Sequence, residues 1–111
     1  MSGAGGKASA TNAEMAALRQ KIDSIDAALV DALAERQRCI EAAADIKRRI
    51  GWPARIPPRV DEVLARVAMR ATERHLDPDL ARSLWRAIIE WSIAYEERLM
   101  KATSDRKVDP A

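Results

Sequence analysis

Residues 13–50 contain neither glycine nor proline, and this uninterrupted run restricts the fold more than any other feature. Thr11 and Asn12 are N-cap candidates before it, and Gly51 followed by Trp52-Pro53 stops it. Apolar residues recur at Leu18, Ile22, Ile25, Leu29, Ala32, Leu33, Ile40, Ala43, Ile46 and Ile50, mostly in steps of three and four. That is the period of one long amphipathic helix. About 38 residues at 1.5 Å each make a rod of roughly 57 Å. A compact chain of this length is a globule only about 35 Å across. The rod therefore overhangs its own domain with its apolar stripe intact. A second copy of the chain is the simplest cover for the overhang.

Two shorter helices follow. Pro57-Pro58 opens the first, with proline tolerated in the first turn. Val60, Val63, Leu64, Val67, Ala68 and Ala71 give it a narrow apolar stripe. Asp77-Pro78 reads as N-cap and first residue of the last helix, which is expected to run to about Lys101. Leu80, Leu84, Trp85, Ala87, Ile88, Trp91 and Tyr95 give it a wide apolar arc, and Ile88, Ile89, Trp91, Ile93 and Ala94 are expected to be buried. No strand alternation and no internal repeat is present. The expected class is all-α, with three helices in one domain over residues 13–103. Residues 1–12 are expected to be a disordered leader and residues 104–111 a flexible tail.

Composition narrows the function classes. A net charge of +2 is too small to argue for nucleic acid, and three Trp, one Tyr and no Phe make no base-stacking platform. No run of 18 apolar residues exists, so no membrane span is expected. The first residues carry one Lys and no apolar core, unlike a signal peptide. A single cysteine, Cys39, has no disulfide partner and no histidine pattern near it, so it is expected to be a small packing residue in a reducing, cytoplasmic protein. No metal-ligand or cofactor motif is found, so neither a metal nor a cofactor is expected.

Charges fall where the pattern asks for apolar side chains. Arg36 sits in the column Ile22, Leu29, Arg36, Ala43, Ile50, and Lys47 in the column Leu33, Ile40, Lys47. They lie three helical turns apart and point the same way within about 20°. Arg59 opens the second helix just before its stripe. On the last helix the file Trp85, Ile89, Ser92, Glu96, Leu99 sets a hydroxyl and a carboxyl among apolar neighbours. Each has a plain reading: Arg and Lys stems can lie along a core with their heads in water, and Glu96 can be a solvated flank residue or pair with Lys47 as a buried salt bridge. The combination asks for more. Converging cations in an apolar cavity cost several kcal/mol each unless an anion joins them. One Glu cannot balance three cations, so an anionic ligand with more than one negative group is expected.

Leu18-Arg19-Gln20-Lys21-Ile22-Asp23-Ser24-Ile25-Asp26, then Leu33-Ala34-Glu35-Arg36, Ile46-Lys47, Arg59 and Ile88-Ile89-Glu90-Trp91-Ser92 with Glu96, resembles the all-helical chorismate mutase family. The spacings 17, 11 and 12 along Arg19, Arg36, Lys47 and Arg59 carry much of the likeness. The resemblance implies an intertwined homodimer with shared sites and a small dianionic substrate. Arg19 would reach in from a second copy to one substrate carboxylate, and Arg36 and Arg59 would also bind carboxylates, with bidentate bonds suited to Arg36. Lys47 would donate to the ether oxygen of the bond that breaks, and Glu96 would share that oxygen. Ser92 and Val60 would line the substrate. Two positions depart from the best-known pattern: Val60 stands where a Glu often reads the ring hydroxyl, and Glu96 where many bacterial members have Gln.

The implied reaction, chorismate to prephenate, is a concerted rearrangement that needs no base or nucleophile. The site has to fold a dianion into a near-attack geometry and place donors at the ether oxygen. Glu96 is such a donor only while protonated. The same scaffold also serves isochorismate pyruvate lyases and 4-amino-4-deoxychorismate mutases, and the Ile56-Pro57 entry and Trp91 look somewhat like the lyase branch. A non-catalytic anion-binding helical dimer is the alternative from another class.

Overall fold

The computed structural model describes the backbone of residues 3–108 and the side chains of residues 10–102. Three helices follow one another, α1 (Gly3–Ile50), α2 (Pro57–Glu73) and α3 (Pro78–Val108), with no strand among the described residues. The all-α reading with one very long first helix holds. Two bounds differ from expectation. The backbone is already helical at Gly3, before the Thr11-Asn12 cap, and α3 runs on to Val108, past Lys101. Once a helix exists, each added residue gains a hydrogen bond without a new nucleation cost, so polar and alanine-rich flanks extend it. Residues 1–2 and 109–111 of the expected leader and tail lie outside the described residues.

The helix stops follow from local chemistry. Gly51 has φ +76°, a left-handed conformation that glycine adopts without steric cost, and the Trp52 N–H donates back to the Lys47 carbonyl at 2.9 Å. A Cβ at Gly51 would meet nothing within 4 Å, so it is the backbone angle, not space, that calls for glycine. Ile56 is extended before Pro57, which occupies the first turn of α2. At the start of α3 the Asp77 carboxylate accepts the Asp79 N–H at 2.9 Å, with Pro78 as the first helical residue. The end of α2 is a double closure. The His75 N–H donates to the Thr72 carbonyl at 3.2 Å and the Leu76 N–H to the Ala71 carbonyl at 2.8 Å. His75 takes the left-handed position, φ 59°, that this motif normally gives to glycine.

The chain divides into two compact units, residues 1–36 and 37–111. In the first, the apolar stripe is open: Leu18, Ile22, Ile25, Leu29 and Leu33 are all exposed, Leu29 at 55%. In the second, α2 and α3 pack on a small core of Ala54, Ile89 and Ile93, with Val60, Val63, Leu64, Trp85 and Met100 against it. The α2 stripe and the α3 file Trp85, Ile89, Ser92, Glu96, Leu99 are buried or half-buried as expected. The wide α3 arc is not. Trp91 (48% exposed), Leu84, Leu80 and Ala94 stay open, because α2 covers one side of α3 and these residues lie on another. Trp91 is about 200° round the helix from Ile89 at 100° per residue. Cys39 is exposed as well, not packed, since it lies about 140° round α1 from the buried Ala44.

His75→Gly should raise stability by about 1 kcal/mol, because the left-handed position costs a side chain roughly that much and costs glycine nothing sterically. Urea unfolding should show a higher midpoint at unchanged slope, and His75→Ala should show no such gain.

Candidate active site

The last turn of α1 and the inner file of α3 bring two of the sequence-selected residues into contact. The Lys47 Nζ donates to Glu96 Oε1 at 2.7 Å and to the Ala54 carbonyl at 2.8 Å. The Lys47 side chain is 18% exposed and that of Glu96 5%. The ammonium is thus held by one carboxylate oxygen and one backbone carbonyl at the edge of the apolar core. Such a pair sets the positions of both heads more than it adds stability, since desolvation offsets much of the attraction. Ser92, one turn before Glu96, is also buried, and its Oγ donates to the Ile88 carbonyl at 2.8 Å. This i to i−4 bond pins the hydroxyl close to its own helix. Val60, in the first turn of α2, is half-buried against the Ala54–Ile89–Ile93 cluster.

Other selected residues are placed differently. Arg59 is exposed and pairs with Glu62 at 2.5 Å on its own helix, so the structure does not bring it to Lys47. In the first unit, Arg19 is exposed and Arg36 is half-buried.

Sequence reasoning missed three features. The Ala54 carbonyl is one, and a backbone acceptor leaves no mark in the residue type. Its only trace is a small residue between Pro53 and Pro57 in a six-residue loop. The second is a groove of about 330 Å³ with mixed walls, lined by Glu41, Ala44, Asp45, Arg48, Tyr95, Leu99 and Met100. There the Tyr95 hydroxyl donates to Glu41 Oε2 at 2.6 Å, and the Arg98 guanidinium lies 5.6 Å from the Tyr95 ring centre. The hydrogen bond to Glu41 holds the Tyr95 hydroxyl above its usual range, while Arg48 and Arg49 hold the Asp45 carboxyl below its own. The third is the contact of one Arg55 nitrogen, Nη2, with both Glu90 carboxylate oxygens, at 2.6 and 3.0 Å.

The model of the family described as chorismate mutase type II matches residues 18–97, most of the chain and every residue selected above. The chain belongs to the chorismate mutase type II family. Its relatives differ in name across this scaffold. It is 36% identical to a T-protein of Enterobacter agglomerans over 76% of this chain and 22% of that protein. It is 26% identical to a chorismate mutase of Methanocaldococcus jannaschii over 84% of this chain and 94% of the relative. It is 34% identical to an isochorismate pyruvate lyase of Pseudomonas aeruginosa over 80% of this chain and 87% of the relative. The chain therefore spans about a fifth of the T-protein's length and most of the length of the other two. In this member of the chorismate mutase type II family, the contacting residues Lys47 and Glu96 both fall inside the matched span.

Two predictions come from this geometry. Lys47→Met strands a buried carboxylate and should cost about 3 kcal/mol of unfolding free energy. Adding Glu96→Leu removes the stranded charge and should recover most of that loss, so a double-mutant cycle by denaturant unfolding should be strongly non-additive.

The second prediction concerns Tyr95, the one tyrosine of the chain, so phenol titration reads it alone. Its folded-state ionisation lies above the ordinary value of about 10. The stabilisation from its proton is complete below that value and is lost as pH rises through the folded one. Tyrosinate absorbance should therefore appear later in the native protein than in the urea-unfolded one, and Glu41→Gln should narrow the gap, leaving the part due to burial.

Proposed function

We propose that this chain is a chorismate mutase, an isomerase that converts chorismate to prephenate. The observation that carries the reading is the Lys47–Glu96 contact on an otherwise apolar buried file, within the span matched by the family model. In the reaction the ether C–O bond breaks as a C–C bond forms within one molecule, and no proton is taken up or released overall. Lys47 donates to the ether oxygen as negative charge grows there, where a fixed donor in a dry site counts most. Glu96, the carboxylate partner of Lys47 in the free protein, shares that oxygen only once it takes up a proton in the substrate complex. Arg36 and Arg59 bind the substrate carboxylates, with Arg59 turning from Glu62 to do so, and Arg19 of a second copy completes the set. Ser92 and Val60 shape the wall. The reading needs no cofactor and no metal.

The homodimer belongs to the same proposal. Its support is the open stripe Leu18, Ile22, Ile25, Leu29 and Leu33 on the first unit, a continuous apolar surface of the kind that marks an interaction site. The same proposal takes residues 13–103 as the functional domain. No helix among the described residues is long and apolar enough to cross a membrane. The proposal sets the chain in the cytoplasm with a small-molecule substrate in place of nucleic acid or lipid.

A second reading, isochorismate pyruvate lyase, is favoured by Val60 beside Arg59 and by the relative of that name. Separate incubations with chorismate and isochorismate decide between them. Prephenate from chorismate is expected, salicylate plus pyruvate from isochorismate would assign the lyase, and no product from either would leave a non-catalytic anion-binding helical dimer.

Shared sites make a further outcome testable. Arg19→Ala and Arg36→Ala should each lose at least about a hundredfold in rate. Mixing the two inactive proteins should restore activity, because a mixed dimer holds one site free of both changes. Failure to recover after verified subunit exchange would place Arg19 in its own chain's site.

A further inference from the structure

The loop between α1 and α2 meets α3 in register. Two consecutive loop residues are received by two consecutive helix residues. Ala54, 6% exposed, packs with Ile89 in the core, while Arg55 reaches Glu90 on the wet side. The peptide joining Ala54 to Arg55 lies between these anchors, and its carbonyl is the one that accepts Lys47 Nζ at 2.8 Å. A single small side chain in the core fixes where Ala54 sits but not how the following peptide is turned. That turn depends on ψ of Ala54 and φ of Arg55. The Arg55 guanidinium, held to both Glu90 oxygens at 2.6 and 3.0 Å, restrains the second of these.

We propose that Arg55 and Glu90 are positioning residues for Lys47, acting by fixing the Ala54–Arg55 peptide whose carbonyl aims the ammonium. Lys47 sits on a flexible four-carbon stem. Glu96 alone holds its nitrogen within a cone of directions, and the second acceptor selects one of them. Glu90 and Arg55 keep each other charged, with Glu97 adding to the field on Arg55. Both side chains are half or more exposed, so the pair adds little to folding stability and its effect falls on geometry. The inference rests on the reading that Lys47 acts on the substrate, and its test separates the two.

The test uses the full chain with chorismate, and a probe of Lys47 that needs no turnover. Arg55→Met and Glu90→Gln should each lower kcat about fivefold, the most an exposed pair supports, at unchanged KM and melting temperature. Lys47→Ala should remove the effect, so that adding Arg55→Met to it leaves the residual rate as it was. Arg82→Ala, which breaks another exposed pair on α3 with Asp79, should leave kcat unchanged. Trace acetylation with acetic anhydride, read by peptide mass spectrometry against the exposed Lys21, should show Lys47 becoming about threefold more reactive in Arg55→Met. Unchanged Lys47 reactivity in both variants overturns the proposal, and so does a kcat loss that persists in the Lys47→Ala background. If the wild type turns over neither chorismate nor isochorismate, the functional reading fails, and the acetylation result alone decides whether the clamp aims Lys47.

Discussion

A lysine ammonium drawn out of water must be met by acceptors, and the second unit is arranged around that requirement at Lys47. Gly51 ends α1 one turn after it, and the Trp52 N–H closes on the carbonyl of the same lysine. The chain then doubles back within a few residues so that the Ala54 carbonyl faces Nζ. The other acceptor comes from the far end of the sequence, on the file of α3 that also buries Ile89 and Ser92. Removing either acceptor leaves a partly buried charge short of a partner, which is why the helix stop, the loop and the α3 register depend on one another.

Apolar surface is spread unevenly over this frame. The buried apolar residues among those described are Ala44, Ala54, Ala71, Ala81, Ile89 and Ile93, four of them alanine. Larger side chains, from Leu18 through Leu33 on α1 to Leu84 and Trp91 on α3, remain open. A core of that size supplies little hydrophobic stabilisation for the chain entropy it has to offset. The imbalance supports the proposal of a second copy of the chain as cover, because the open residues recur with the helical period and form stripes.

Relatives on this scaffold carry the names of different activities, so the fold cannot fix the substrate. What separates them has to lie in the few side chains that line the site. In the proposed site Val60 brings an apolar, half-buried group and Glu96 a buried carboxyl. Under the proposed function the two would act on different parts of a substrate, one on recognition of its ring and the other on the donor at its ether oxygen.

Much of the architecture is written locally and was legible without coordinates. Gly51, Pro57 and Asp77-Pro78 punctuate the helices through backbone angles and capping bonds that involve only near neighbours, and the 3.6-residue period picked out the file Trp85, Ile89, Ser92, Glu96, Leu99 as inward. Helix ends without a strong stop, at Gly3 and Val108, were not legible, because propagation there depends on small propensity differences. His75 in a left-handed turn carries no signal of its own, since the usual glycine is absent. Periodicity also could not say which side of a broad apolar arc would be covered. Trp91 and Ile89 look alike in sequence, and only the placement of α2 left one open and buried the other. The contact of Lys47 with Glu96 joins residues 49 apart, and its third member is a carbonyl that every residue type possesses. The sequence by itself determined the helices and the inward file, because those depend on neighbours along the chain. Tertiary structure decided which groups meet, because contacts between distant residues are set by packing that no local pattern encodes.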